Sequence, residues 1–147
     1  MLAESATAGT RSFSATPDHL PEIDAWIDAA GAKLGFDPDM VFRARVCVAE
    51  IAANLLEHGR SRPEGDDIRI TLRPAPPALH LEISDSGREF DPTLRRHDVT
   101  EPGASSGRGL RLVRAYASMS YRRTAGRNVL SLRVAPAPRG PSHESPG

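Results

Sequence analysis

The sequence predicts an α/β two-layer sandwich, a mixed but mainly antiparallel sheet with three helices packed on one face. Three observations carry this. Two segments before residue 60 and one after residue 106 repeat apolar residues at steps of three and four, the mark of helices with one buried stripe. Two segments between residues 68 and 85 alternate apolar and polar residues, as half-buried strands do. A last pair of alternating segments is joined by Ala125-Gly126, as in a hairpin. Elements with one apolar face each must bury those faces against one another, which gives layers.

At 147 residues the chain suits one domain with one core. Its 39% hydrophobic and 26% charged residues are those of a globular protein. The 19 basic residues equal the 19 acidic ones, so no overall field favours nucleic acid or an anionic membrane. The single cysteine, Cys47, excludes an intrachain disulfide and a multi-cysteine zinc site and suits a reducing compartment. With no long apolar run and no signal-like start, a cytoplasmic location is expected.

Taken in order, residues 1–10 read as a flexible tail, 11–134 as the domain and 135–147, rich in Pro, Ser and Gly, as a disordered tail. Arg11 to Ala15 suits a short edge strand. Thr16 as N-cap, Pro17 at the first helical position and Asp18 in the first turn start a helix. Leu20, Ile23, Ile27, Ala30 and Leu34 form its stripe, with Trp26 beside them, and Gly35 ends it. Asp37-Pro38 caps a second helix to His58, with Val41, Ala44, Cys47 or Val48, Ile51 and Leu55 inward and Gly59 as its stop. Ser61 to Asp67 is a polar loop.

Ile68, Ile70 and Leu72 alternate with Arg69, Thr71 and Arg73. Pro74-Ala75-Pro76-Pro77 then turns the chain into an antiparallel partner, Leu79 to Ser84. Pro92 to Ser106 is polar and aperiodic, long enough to be a lid. Gly107-Arg108-Gly109-Leu110 opens the third helix. Met119 to Arg123 and Asn128 to Val134 form the last hairpin, with Leu130, Leu132 and Val134 on one face.

Three features carry chemistry. Extending the Leu79, Leu81, Ile83 row by one step puts Asp85 on the apolar face, where a carboxylate needs hydrogen-bond donors. Gly87 leaves room beside it for a flat group with an N–H donor to approach the backbone. The same tripeptide, Asp85-Ser86-Gly87, is also a common strand-closing turn. On the second helix Glu50 and Asn54 stand one turn apart beside the apolar stripe, along the core boundary. At the third helix the Gly107-x-Gly109 pair bares backbone N–H groups where the helix dipole favours an anion.

Their order is informative. The stretches AEIAANLLEHG (Ala49 to Gly59), EISDSGREFDP (Glu82 to Pro92), GRGLRLV (Gly107 to Val113) and GRNVLSL (Gly126 to Leu132) resemble the GHKL ATP-binding superfamily. Within it the resemblance is to bacterial anti-sigma-factor serine/threonine kinases of partner-switching systems, and it runs from about Arg11 to Val134. It implies the GHKL ATP-binding fold, with ATP and Mg²⁺ between helices and sheet. Asp85 would accept a hydrogen bond from the adenine amino group, with Gly87 beside it. Asn54 would hold Mg²⁺, and Glu50 would be the general base. Gly107, Arg108, Gly109 and Leu110 would give their amides to the phosphates, and Pro92 to Ser106 would be the lid. His58 and Gly59 would shape the pocket edge.

The implied partners are a sigma factor, a STAS-domain antagonist and a second copy of the chain. One departure from the family pattern is Ala117-Ser118-Met119-Ser120, where an acidic residue and a valine are frequent. Two alternatives stand beside the kinase: an ATP-binding switch without phosphotransfer, and a detached histidine-kinase-like ATPase module. The latter is disfavoured because Glu50 precedes Asn54 in the manner of the serine kinases.

Overall fold

The computed structural model describes residues 9–58, 67–94 and 105–137, with their side chains except at 57–58 and 105–110. The elements are β1 (Gly9–Ser14), a 3-10 turn (Pro17–His19), α1 (Leu20–Lys33), α2 (Pro38–His58), β2 (Asp67–Ala75) and β3 (Ala78–Asp85). A short turn (Pro92–Leu94), α3 (Ser105–Tyr116), β4 (Ala117–Thr124) and β5 (Arg127–Val134) follow. The expected stop at Gly59, the loop from Ser61, most of the Pro92 to Ser106 lid and the outer parts of both tails lie outside the described residues.

The strands form one five-stranded sheet in the order β1-β2-β3-β5-β4. The expected mixed sheet is corrected in one respect: every pairing among the described strands is antiparallel. The chain does cross from β3 through α3 to β4, which runs parallel to β3. The hairpin strand β5 then returns into the gap between them, antiparallel to both, so the two parallel strands never touch.

The apolar rows point where the alternation placed them. Ile68, Ile70 and Leu72 of β2, Leu79, Leu81 and Ile83 of β3, and Leu130, Leu132 and Val134 of β5 are buried. They meet Val48, Ile51 and Leu55 of α2 and Ile23 and Ile27 of α1 in one core. The middle helix, α2, packs on α1, on α3 and on the central strands β3 and β5.

Local signals account for the element ends. Asp37 Oδ1 accepts from the Met40 backbone N–H at 3.0 Å, capping α2. Gly35, at φ 91°, closes α1 in a Schellman motif. In it Phe36 N donates to Gly31 O at 3.1 Å and Gly35 N to Ala32 O at 3.0 Å.

Three boundaries differ from expectation. The edge strand starts at Gly9, because β1 pairs with β2 as far as Leu72. Thr16 is extended but caps no backbone N–H; its hydroxyl lies 2.8 Å from His19 Nδ1, and the α-helix proper starts at Leu20 after the 3-10 turn. The third helix begins at Ser105, two residues before Gly107, so the glycine pair lies inside its first turns.

Candidate functional site

Among the described residues, four polar side chains are buried: Asn54, Ser84, Asp85 and Asn128. Three of them share the sheet face covered by the helices or the helix above it. Asp85 is the last residue of β3, and β5 brings Asn128 directly opposite. Asn54 lies on α2, which crosses these same strands.

Asp85 is 2% exposed, so its carboxylate must be satisfied from within. Asn128 Nδ2 donates to Asp85 Oδ1 at 3.0 Å and to the Arg88 carbonyl at 2.8 Å. The oxygen of the same carboxamide accepts from three donors: Phe90 N at 3.1 Å, Tyr121 Oη at 2.6 Å and Arg123 Nη1 at 3.0 Å. Arg123 Nη1 also donates to the carbonyl of Gly87, itself a buried residue, at 2.8 Å. Burial, with Glu89 next in weight, pushes the Tyr121 phenol up, which keeps it a donor. One amide therefore ties the end of β3, the turn after it and the β4 edge together.

The turn is held further on. Asp91 Oδ1 accepts from Thr93 N at 2.8 Å and Thr93 Oγ1 at 2.6 Å, and Arg114 of α3 donates to the Thr93 carbonyl at 2.9 Å. On the opposite sheet face Arg127 spans Ser84 Oγ at 3.2 Å and Asp67 Oδ1 at 3.1 Å, clamping the ends of β2, β3 and β5.

Asn54 is the counterpart on the helix layer. It is 2% exposed, and neither its oxygen nor its nitrogen meets a hydrogen-bond partner among the described residues. Native proteins pair such groups almost without exception, so this amide calls for a partner beyond the described residues, whether another part of the chain, a water or a ligand. Its Oδ1 is a hard, neutral oxygen donor of the kind Mg²⁺ accepts. Glu50, one helical turn earlier, is half-buried.

Of the residues expected to make the site, Asp85, Gly87, Asn54 and Glu50 thus lie on β3, on the turn after it and on the helix packed over that strand. Gly107, Arg108, Gly109 and Leu110 lie in the first turns of α3, which packs on α2; their side chains are outside the described ones. Asn128 was missed. The signal for it was present, since Asn128 stands on the same row as Leu130, Leu132 and Val134, and a polar residue on an inward row calls for a buried partner. Cavities elsewhere include one of about 250 Å³ between β1 and α1, lined by Gly9, Trp26 and Lys33 among others.

Comparisons with known proteins give the family. The chain is 28% identical over 142 residues to the serine/threonine-protein kinase BtrW of Bordetella bronchiseptica (strain ATCC BAA-588 / NCTC 13252 / RB50), covering 91% of this chain and 98% of that protein. Its fold is similar to the histidine kinase domain of the Erythrobacter litoralis EL346 blue-light activated histidine kinase. There the TM-score is 0.51 at 17% identity, and the match spans 80% of this chain and 63% of that one. No helix among the described residues is long and apolar enough to cross a membrane. Residues 13–134 match the family model described as the histidine kinase-like ATPase domain, and the chain belongs to that family.

Proposed function

We propose that the chain is an ATP-dependent serine/threonine protein kinase and an anti-sigma factor, which sequesters a sigma factor and phosphorylates a small STAS-type antagonist. We place it in the cytoplasm as a homodimer. The observation that carries this reading is the buried Asn54 amide, unpartnered among the described residues, one turn from Glu50 and on the helix that crosses the strand ending in Asp85. Similarity to a serine/threonine-protein kinase over 98% of that protein's length supports the phosphotransfer half.

Each residue then has one task. Asp85 accepts a hydrogen bond from the adenine amino group, and Gly87 leaves space for the ring. Free backbone N–H groups of the first turn of α3, Gly107 among them, meet the phosphates, where a helix start favours negative charge, while Arg108, Gly109 and Leu110 follow within the helix, which starts at Ser105. Asn54 Oδ1 would hold Mg²⁺, which when bound would neutralise charge on the phosphates. Glu50 accepts the proton of the attacking serine or threonine hydroxyl, the step that turns a weak nucleophile into an effective one.

The test mixes the purified protein, γ-labelled ATP, Mg²⁺ and a STAS-domain protein. Label is expected on a serine or threonine of the STAS protein. Glu50→Ala is expected to cut transfer by about 10²–10⁴-fold while ATP binding persists. Asp85→Asn is expected to lose ATP. Tight ATP binding by the wild type with no transfer to any STAS substrate would overturn the kinase reading in favour of a nucleotide-gated switch.

A further inference from the structure

The geometry points to Asn128 as a positioning residue for purine selectivity: its locked carboxamide demands an acceptor from position 85, so the remaining atom of the side chain at 85 decides whether the base meets an acceptor or a donor. This inference rests on the reading of Asp85 as the adenine contact and goes beyond it, since Asn128 itself need not touch the ligand.

A carboxamide can ordinarily be turned end for end at little cost, but this one cannot. The Phe90 backbone N–H and the Arg123 guanidinium can only donate, at 3.1 and 3.0 Å, so the atom they meet must be the oxygen. The Arg88 carbonyl can only accept, at 2.8 Å, so the atom beside it must be the nitrogen. Nδ2 is thereby directed at residue 85, 3.0 Å away, and whatever occupies position 85 must present an acceptor to it. In a buried cluster, violating that rule strands two like groups against each other.

With aspartate at 85 the second carboxylate oxygen is also an acceptor. It suits a 6-amino purine and repels a 6-oxo purine. The orientation has a consequence that a merely structural asparagine would not have. In Asp85→Asn, the new amide must give its oxygen to Asn128 and turn its NH₂ toward the base. The pocket then offers a donor where it had offered an acceptor.

The experiment measures binding of ATP and of inosine triphosphate, each with Mg²⁺, by titration calorimetry. Three proteins are used: the wild type, Asp85→Asn, and the exchanged pair Asp85→Asn with Asn128→Asp. The wild type is expected to prefer ATP by at least about tenfold, the scale of one mismatched buried hydrogen bond. Asp85→Asn is expected to reverse the preference. In the exchanged pair the carboxylate introduced at position 128 still collects the Phe90, Tyr121 and Arg123 donors, at the cost of the Arg88 contact. It accepts from the NH₂ of the amide introduced at position 85, turns that amide's oxygen back to the base and restores the preference for ATP.

Thermal melts establish that each variant folds. If Asp85→Asn alone does not fold, the exchanged pair carries the test, because it keeps one carboxylate and one carboxamide in the cluster. An Asp85→Asn protein that loses ATP without coming to prefer inosine triphosphate overturns the inference and leaves the ATP reading intact. So does a folded exchanged pair that prefers inosine triphosphate. A wild type that binds neither nucleotide overturns the ATP reading itself.

Discussion

A buried amide with no partner costs a folded chain on the order of 1–3 kcal/mol, which is recovered only when something binds it. Asn54 is in that position, 2% exposed with both polar atoms unpaired among the described residues. Replacing it by leucine removes the orphaned groups and keeps the branched shape and heavy-atom count of the side chain. Asn54→Leu is therefore expected to leave the melting temperature of the ligand-free protein unchanged or raised, and to remove the further rise that Mg²⁺-ATP gives the wild type. Differential scanning fluorimetry with and without nucleotide checks both. A ligand-free melt lowered as far as by a core truncation such as Ile51→Ala would mean that Asn54 is structural. At this scale the inward placement of two polar side chains was legible. Asp85 followed from the parity of a leucine row, and Asn54 from its place beside an apolar stripe. Asn128 was not read, because its partners come from β3, β4 and the turn after β3, which sequence order does not bring together.

At the scale of elements, α1 and α2 meet through a glycine. A Cβ built on Gly31 would stand 2.8 Å from Val41 Cγ2, closer than packed atoms tolerate. Alanine in a helix interior gains about 1 kcal/mol over glycine, whereas overpacking costs about 1–3 kcal/mol. Gly31→Ala is therefore expected to destabilise the protein, and Val41→Ala to relieve part of the loss when the two are combined. Urea melts of the double-mutant cycle check the coupling, and strictly additive effects would contradict the close approach. The long helix was legible end to end, from the Asp37-Pro38 cap to His58, because capping chemistry and a 3.6-residue stripe agree there. The partners of the final hairpin were not, since alternation gives the face of a strand and says nothing of its neighbours.

For the molecule as a whole, Cys47 reports on global opening. It lies fully buried on the inner face of α2, and burial pushes its thiol up to about 12, against a smaller opposing pull from Arg43. At pH 8 the native thiol is expected to resist a maleimide or disulfide reagent, and to react only through unfolding. When opening and closing are fast relative to reaction, a ligand at 100 times its Kd lowers the open population about 100-fold, or about 2.7 kcal/mol. ATP at that level is expected to slow labelling to match. Rapid labelling of the native protein would contradict the burial, and a rate indifferent to ATP would contradict nucleotide binding. Fold and family were legible at this scale, since four short stretches in fixed order run from Ala49 to Leu132.

The insertion of β5 between β3 and β4 has a consequence for biosynthesis. A ribosome that has released β3 has not yet supplied the strand that lines its second side, and residues 127–134 fill that slot. Until they emerge, β3 keeps a bare edge open to adventitious pairing, and Asp85 has no Asn128 to meet it. On the function proposed above, nucleotide capture by a nascent polypeptide waits for translation of this last strand, and a message truncated before it yields a sheet split down its middle.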